Sequence, residues 1–140
     1  MREPVLPRRL IEASRSLDRE IEESLRDRGL WELKPSQARS LLTVDRTGTR
    51  LSELAHRAGI TKQRMMQVVD ELQSMGYLRR TPDPEDARAK VVRLTAKGLR
   101  HRAEARRAML AVEARARRRL GGRRYDQLEV MLEELYSVEE

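Results

Sequence analysis

The sequence contains no cysteine and no phenylalanine, and its aromatic side chains are only Trp31, Tyr77, Tyr125 and Tyr136. Without cysteine there are no disulfides, thiolate metal sites, iron–sulfur clusters, cysteine nucleophiles or thiol-based redox sensing. With so few aromatics, modules that stack RNA bases on aromatic platforms are disfavoured, and any core is built from Leu, Val, Ile, Met and Ala. No run approaches the ~18 apolar residues of a membrane span. Residues Met1 to Pro7 lack the apolar stretch of a signal peptide. The chain reads as soluble and cytoplasmic, with no membrane partner.

Groups that carry catalysis are also scarce. His56 and His101 fall in different helical segments and read as solvated surface residues. There is no HExxH, no CxxC and no glycine-rich phosphate loop. Acidic residues such as Glu22, Glu23, Glu133 and Glu134 sit on polar helix faces. No nucleophile with its base, divergent carboxylate pair or metal cluster emerges, so the expectation is a non-enzyme with no metal and no cofactor.

Positive charge, in contrast, is abundant. The 140 residues, about one domain's worth, carry 30 Lys and Arg against 23 Asp and Glu, a net charge of +7. Such a balance favours polyanionic partners: nucleic acid, an anionic surface or an acidic protein. Hydrophobic residues make up 39% and recur at regular spacing, which argues for a packed fold.

The spacing places the elements. Leu6, Leu10, Ala13, Leu17, Ile21 and Leu25 form one helical stripe, interrupted at Gly29. Pro35 suits the first position of a second helix with Ala38, Leu41 and Leu42 inward, ending in a turn at Thr47-Gly48-Thr49. A short helix with Ser52 as N-cap closes at Gly59, and Thr61 caps another that buries Met65, Val68, Val69 and Leu72 and stops at Gly76. Two short helices joined by a glycine turn predict a helix-turn-helix. Leu78–Thr81 and Lys90–Leu94 flank a proline-punctuated charged turn and predict a two-stranded hairpin. Thr95 caps a long helix to about Leu120, and a last helix carries Tyr125, Leu128, Met131, Leu132 and Leu135.

Burying the apolar stripe of the Thr61 helix leaves Lys62, Gln63, Met66, Gln67 and Asp70 outward, with Arg64 at the boundary. Gln can bond adenine edges, Arg pairs with guanine, and Met66 can touch a thymine methyl in the major groove. Lys62, Ser36, Thr61 and the helix N-terminus suit phosphate. Around the hairpin, Arg79, Arg80, Arg88, Lys90 and Arg93 are placed to reach a neighbouring groove, or else to pair with Asp83, Glu85 and Asp86. Residues 97–124 hold eleven Lys or Arg against Glu104 and Glu113. There Arg115, Arg117, Arg118 and Arg119 form either an anion site or ion pairs with acids such as Glu20, Glu22, Glu23 and Glu133. Alanines along this helix predict packing on more than one neighbour.

This order of elements resembles the MarR family, the multiple antibiotic resistance regulators of bacteria, over essentially the whole chain. The residues that carry the resemblance are Leu51-Ser52-Glu53-Leu54-Ala55, Gly59-Ile60-Thr61-Lys62, Val69-Asp70-Glu71-Leu72, Gly76-Tyr77-Leu78-Arg79-Arg80, and Asp86-Ala87-Arg88 followed by Leu94-Thr95-Ala96-Lys97-Gly98. The last stretch is similar to the family's wing signature. Lys34, Ala87 and Met66 depart from common family choices.

The resemblance implies a mainly α winged helix-turn-helix single domain. Residues 34–95 would bind double-stranded DNA, and residues 1–33 and 96–140 would form dimerisation helices. It implies a homodimer sealed by Leu6, Leu10, Leu17, Ile21, Leu128, Leu132 and Leu135, reading a near-palindromic operator as a repressor. The base readers would be Gln63, Arg64, Met66 and Gln67, with Arg80 and Lys90 beside them and Arg88 in the minor groove. A small anionic or aromatic effector is a further expectation, with Trp31 a candidate wall of its pocket. The rival reading is a winged-helix module that binds an acidic protein or an anionic surface without reading DNA sequence.

Overall fold

A computed structural model describes residues 1–137. The elements run α1 (Leu6–Asp27), α2 (Pro35–Thr43), β1 (Thr49–Arg50), α3 (Leu51–Ala58), α4 (Lys62–Ser74), β2 (Leu78–Pro82), β3 (Lys90–Leu94), α5 (Ala96–Leu120) and α6 (Gly122–Tyr136). The predicted helices and both hairpin strands are present at nearly the expected bounds. The sheet, however, has three strands and not two: β1 pairs antiparallel with β3 through Thr49 opposite Val92, giving the order β1-β3-β2. Two residues are too few to show alternation, so β1 left no periodic signal in the sequence.

The caps are mostly those the sequence names. Thr61 Oγ1 accepts the Arg64 amide at 3.0 Å, and Thr95 Oγ1 accepts the Gly98 amide at 3.0 Å. Ser52 is not a cap. The N-cap of α3 is Arg50, still extended at the end of β1, so the chain passes from strand to helix before Ser52 is reached. Gly59 ends α3 at φ 64°, ψ 31°, the left-handed geometry that lets α4 turn away tightly.

The core gathers Leu25, Leu41, Leu54, Met65, Leu72, Tyr77 and Val92 from the elements between α1 and β3. α5 packs on α1, α2, α6 and β3, as its distributed apolar surface implied. Buried Ala105, Ala108 and Val112 let α1 approach, and Ser24 Oγ donates to the Ala108 carbonyl at 3.1 Å. Ile21 belongs to this core at 8% exposure, so its place in the expected dimer seal is corrected: its side chain is covered by its own chain. The remaining seal residues lie outside. Leu6, Leu10, Leu17, Leu128 and Leu135 are exposed, Leu132 is half-buried, and α6 has no buried residue.

Candidate nucleic-acid interface

The Thr61 cap and the four buried side chains of α4 fix which face the helix turns outward. Lys62, Gln63, Arg64, Met66, Gln67 and Asp70 are all exposed on it. Gln63 and Met66 have no polar partner within the described chain, while the Arg64 guanidinium donates to Gln67 Oε1 at 3.2 Å. The wing lies alongside. Lys62, Met66 and Asp70 of α4 face Arg80, Arg88 and Lys90 of the hairpin across a groove of about 490 Å³.

The wing cations differ in their engagement. Arg80 is half-buried and forks onto α4, donating to Gln73 Oε1 at 2.6 Å and Asp70 Oδ1 at 2.5 Å. Arg93 is turned inward to Thr81 Oγ1 and the Thr47 carbonyl. Arg88 is exposed, and among the described residues its guanidinium meets no acceptor; only its backbone amide is held, by Asp86 Oδ1 at 3.0 Å. The tip acids thus do not neutralise the hairpin arginines.

Asp83 instead takes Arg50, with Nη2 at 2.6 Å and Nε at 2.7 Å, and accepts the Glu85 amide at 2.9 Å. That amide holds its carboxyl below the ordinary value despite burial, and Arg50 adds to the effect. Nothing in the sequence ties Arg50 to the wing, because the two-residue β1 that carries it is too short to leave a pattern.

Other expected residues fall elsewhere. Ser36, in the first turn of α2, is half-buried and lines a cavity of about 640 Å³ between α2, α3, α4 and α5. Arg39, Arg57 and Arg64 reach this cavity, with Leu42, Val68 and Met109 as apolar wall. Trp31 lines none of the described cavities and stands 77% exposed, because it sits in the turn after α1. His101 is not a solvated surface residue either. Its Nδ1 lies 3.0 Å from the hydroxyl of buried Tyr77, which also donates to Glu32. In the second half of α5 the ion-pair alternative holds for three of the four arginines: Arg115 and Arg119 meet Glu20 at 3.4 and 3.2 Å, and Arg117 meets Asp126 at 2.6 Å, while Arg118 has no such partner among the described residues.

A family model described as MarR family matches residues 31–89. Over these residues, which span the winged region, the chain is similar to the MarR family. Solved MarR-fold structures extend the likeness across the chain. CouR bound to a 23-mer DNA duplex superposes with a TM-score of 0.82 at 25% identity, over 96% of this chain and 99% of that one. The MepR–DNA complex of S. aureus gives 0.83 at 16% identity, over 96% and 98%. CouR of Rhodococcus jostii RHA1 bound to p-coumaroyl-CoA gives 0.78 at 22%, over 94% and 92%. No curated protein matches the sequence. Among the described residues no helix is long and apolar enough to cross a membrane, and no group of His, Cys, Asp and Glu is placed to hold a metal ion. In MarR terms α3 and α4 are the helix-turn-helix, β2 and β3 the wing, and α1, α5 and α6 the frame.

Proposed function

We propose that this chain is a homodimeric transcriptional repressor that reads a near-palindromic operator. The observation that carries the reading is the groove just described. A capped helix presents Gln63, Met66 and Gln67 outward, and an unpaired Arg88 stands beside it on the wing. α4 enters the major groove, with Gln63, Arg64, Met66 and Gln67 on base edges and Lys62, Thr61 and the helix N-terminus on phosphate. Arg88 enters the adjacent minor groove and Lys90 meets the backbone. Two such units related by a twofold axis sit ~34–36 Å apart, one turn of DNA.

The partner subunit covers the exposed leucines of α1 and α6. Release by an effector fits the cavity behind α4. Its arginines suit a carboxylate or phosphate and its apolar wall a ring, and the structure of CouR with p-coumaroyl-CoA supports this reading by analogy. Arg64 belongs to both sites, since it lines the cavity and holds Gln67. An anion that draws Arg64 into the cavity frees Gln67 and disturbs base reading.

Selection from a random duplex pool tests the proposal: it should yield a twofold-symmetric motif bound by dimers. Recovery of duplexes with no shared motif would overturn it in favour of a general polyanion binder.

A further inference from the structure

DNA reading leaves unassigned most of the charge on α5, and the two halves of that helix differ. Toward its C-terminus, Arg115, Arg117 and Arg119 are neutralised within the chain by Glu20 and Asp126. Toward its N-terminus, Arg102, Arg106 and Arg107 converge with Arg46, from the segment between α2 and β1, around a cleft of about 380 Å³. Leu99, Ala103 and Leu110 complete the cleft wall, and both leucines are exposed.

The carboxylates nearby are already divided. Asp45 is gripped by both nitrogens of Arg57, at 3.1 and 3.0 Å. Glu104 is shared between Arg107 and Arg28. Arg102 donates to the Leu42 carbonyl at 3.3 Å, and Arg46 and Arg106 have no hydrogen-bond or ion-pair partner among the described residues.

Placing Arg46 and Arg106 beside two further cations with no counter-charge of their own is unfavourable, and it is relieved when an anion fills the space between them. Guanidinium forks match phosphate oxygens in pairs, more closely than they match a point anion such as chloride. The volume lies in the range of small-molecule clefts, and the apolar wall gives the rest of a ligand a surface on which to lie.

We propose that the cleft of Arg46, Arg102, Arg106 and Arg107 is a binding site for a small phosphate-bearing ligand with two or more negative charges, separate from the wing groove and from the cavity behind α4. Arg46 and Arg106 supply the uncommitted charge. Arg102 connects the bound anion to the C-terminal end of α2. The ligand's apolar portion rests on Leu99 and Leu110. The site does not depend on whether the wing reads DNA.

The experiment is calorimetric titration of the full chain, without DNA and at fixed ionic strength, with inorganic pyrophosphate and with phenyl phosphate. Pyrophosphate should bind saturably at one site per chain. Arg46→Gln and Arg106→Gln should each weaken binding about tenfold, the worth of one charge-assisted hydrogen bond, while leaving the thermal midpoint unchanged. Leu110→Ala should weaken phenyl phosphate but not pyrophosphate. Duplex affinity should be unchanged in both arginine variants. Binding that never saturates, or that survives both arginine substitutions, overturns the proposal. Equal loss of pyrophosphate and duplex affinity also overturns it, by making the cleft part of a DNA-phosphate surface.

Discussion

Arg80 and Asp70 meet at 2.5 Å across the junction of β2 and α4, and the same guanidinium bonds Gln73 at 2.6 Å. This fork joins the root of the wing to the middle of α4. Asp70 is 60% exposed, so the pair adds little to stability, ~0–1 kcal/mol. If the fork holds the angle between wing and helix, it sets where Arg88 stands relative to Gln63 and Gln67. We expect Asp70→Ala to keep the thermal midpoint within about 5 °C of the parent. It should also shrink the ratio of affinities for the selected operator and a scrambled duplex. An unchanged ratio would show that the fork does not orient the wing.

On the proposed reading, Arg88 and Gln67 separate groove positioning from base reading. Arg88→Ala should weaken operator binding in gel-shift titration without altering the melting curve, because its guanidinium has no partner in the described chain to lose. Gln67→Ala should cost about 1–3 kcal/mol and relax base preference at one position per half-site. Affinity in both should still fall steeply with salt as counterions are released. A uniform loss across all operator variants with Gln67→Ala would remove Gln67 from the readers.

Much of this site was legible in the sequence because its logic is local. Thr61, Gly59 and the 0, 3, 4, 7 spacing from Met65 to Leu72 fix which face of α4 is outward with no knowledge of the rest. What was not legible depends on distant partners. Arg50 neutralises Asp83 from 33 residues away, through a strand too short to leave a pattern. Ile21 lies on the same stripe as Leu10 and Leu17, yet α5 and the winged region cover only the C-terminal end of α1. His101 joins Tyr77 and Glu32 only once α5 has docked.

The uncovered stripe supports a direct test of assembly. Leu6, Leu10, Leu17, Leu128 and Leu135 all stand exposed on α1 and α6, five large apolar side chains that a partner surface would cover. The parent should sediment at twice the 16.3 kDa of one chain, and Leu128→Asp with Leu135→Asp should shift it to one chain mass and abolish operator binding. A charged double variant that remains dimeric would place the interface elsewhere.

Tyr77 links stability to pH at both ends of the scale. Burial, and then its bond to Glu32, push the phenol well above its ordinary value, so the folded state favours the protonated form. That stabilisation is complete below pH ~10 and is lost as pH climbs further. Glu32 is shifted the other way, first by accepting the Tyr77 hydroxyl, so its share is present above pH ~4 and is lost on acidification. Tyr77→Phe should therefore be less stable by about 1 kcal/mol in urea titrations near pH 7.5, with the difference narrowing at pH 4 and again at pH 11. A difference that is constant with pH would mean the hydroxyl network does not titrate with folding.

Gly98 shows why the wing ends in Leu94-Thr95-Ala96-Lys97-Gly98. Thr95 caps α5 on the Gly98 amide, and the Thr95 amide donates to the Tyr77 carbonyl at 3.1 Å, so the first turn of α5 is pressed against the start of β2. A Cβ on Gly98 would stand 2.1 Å from that carbonyl oxygen, a backbone atom that cannot swing aside. Helix propensity favours alanine over glycine by ~1 kcal/mol, and at an exposed helical site Gly→Ala would stabilise. Here α5 must lift off Tyr77, and overpacking of this kind costs ~1–3 kcal/mol, more than the propensity gain at its upper end. Gly98→Ala should lower the thermal midpoint. If Gly98→Ala proved more stable than the parent, the close approach would not be the reason for glycine at this position.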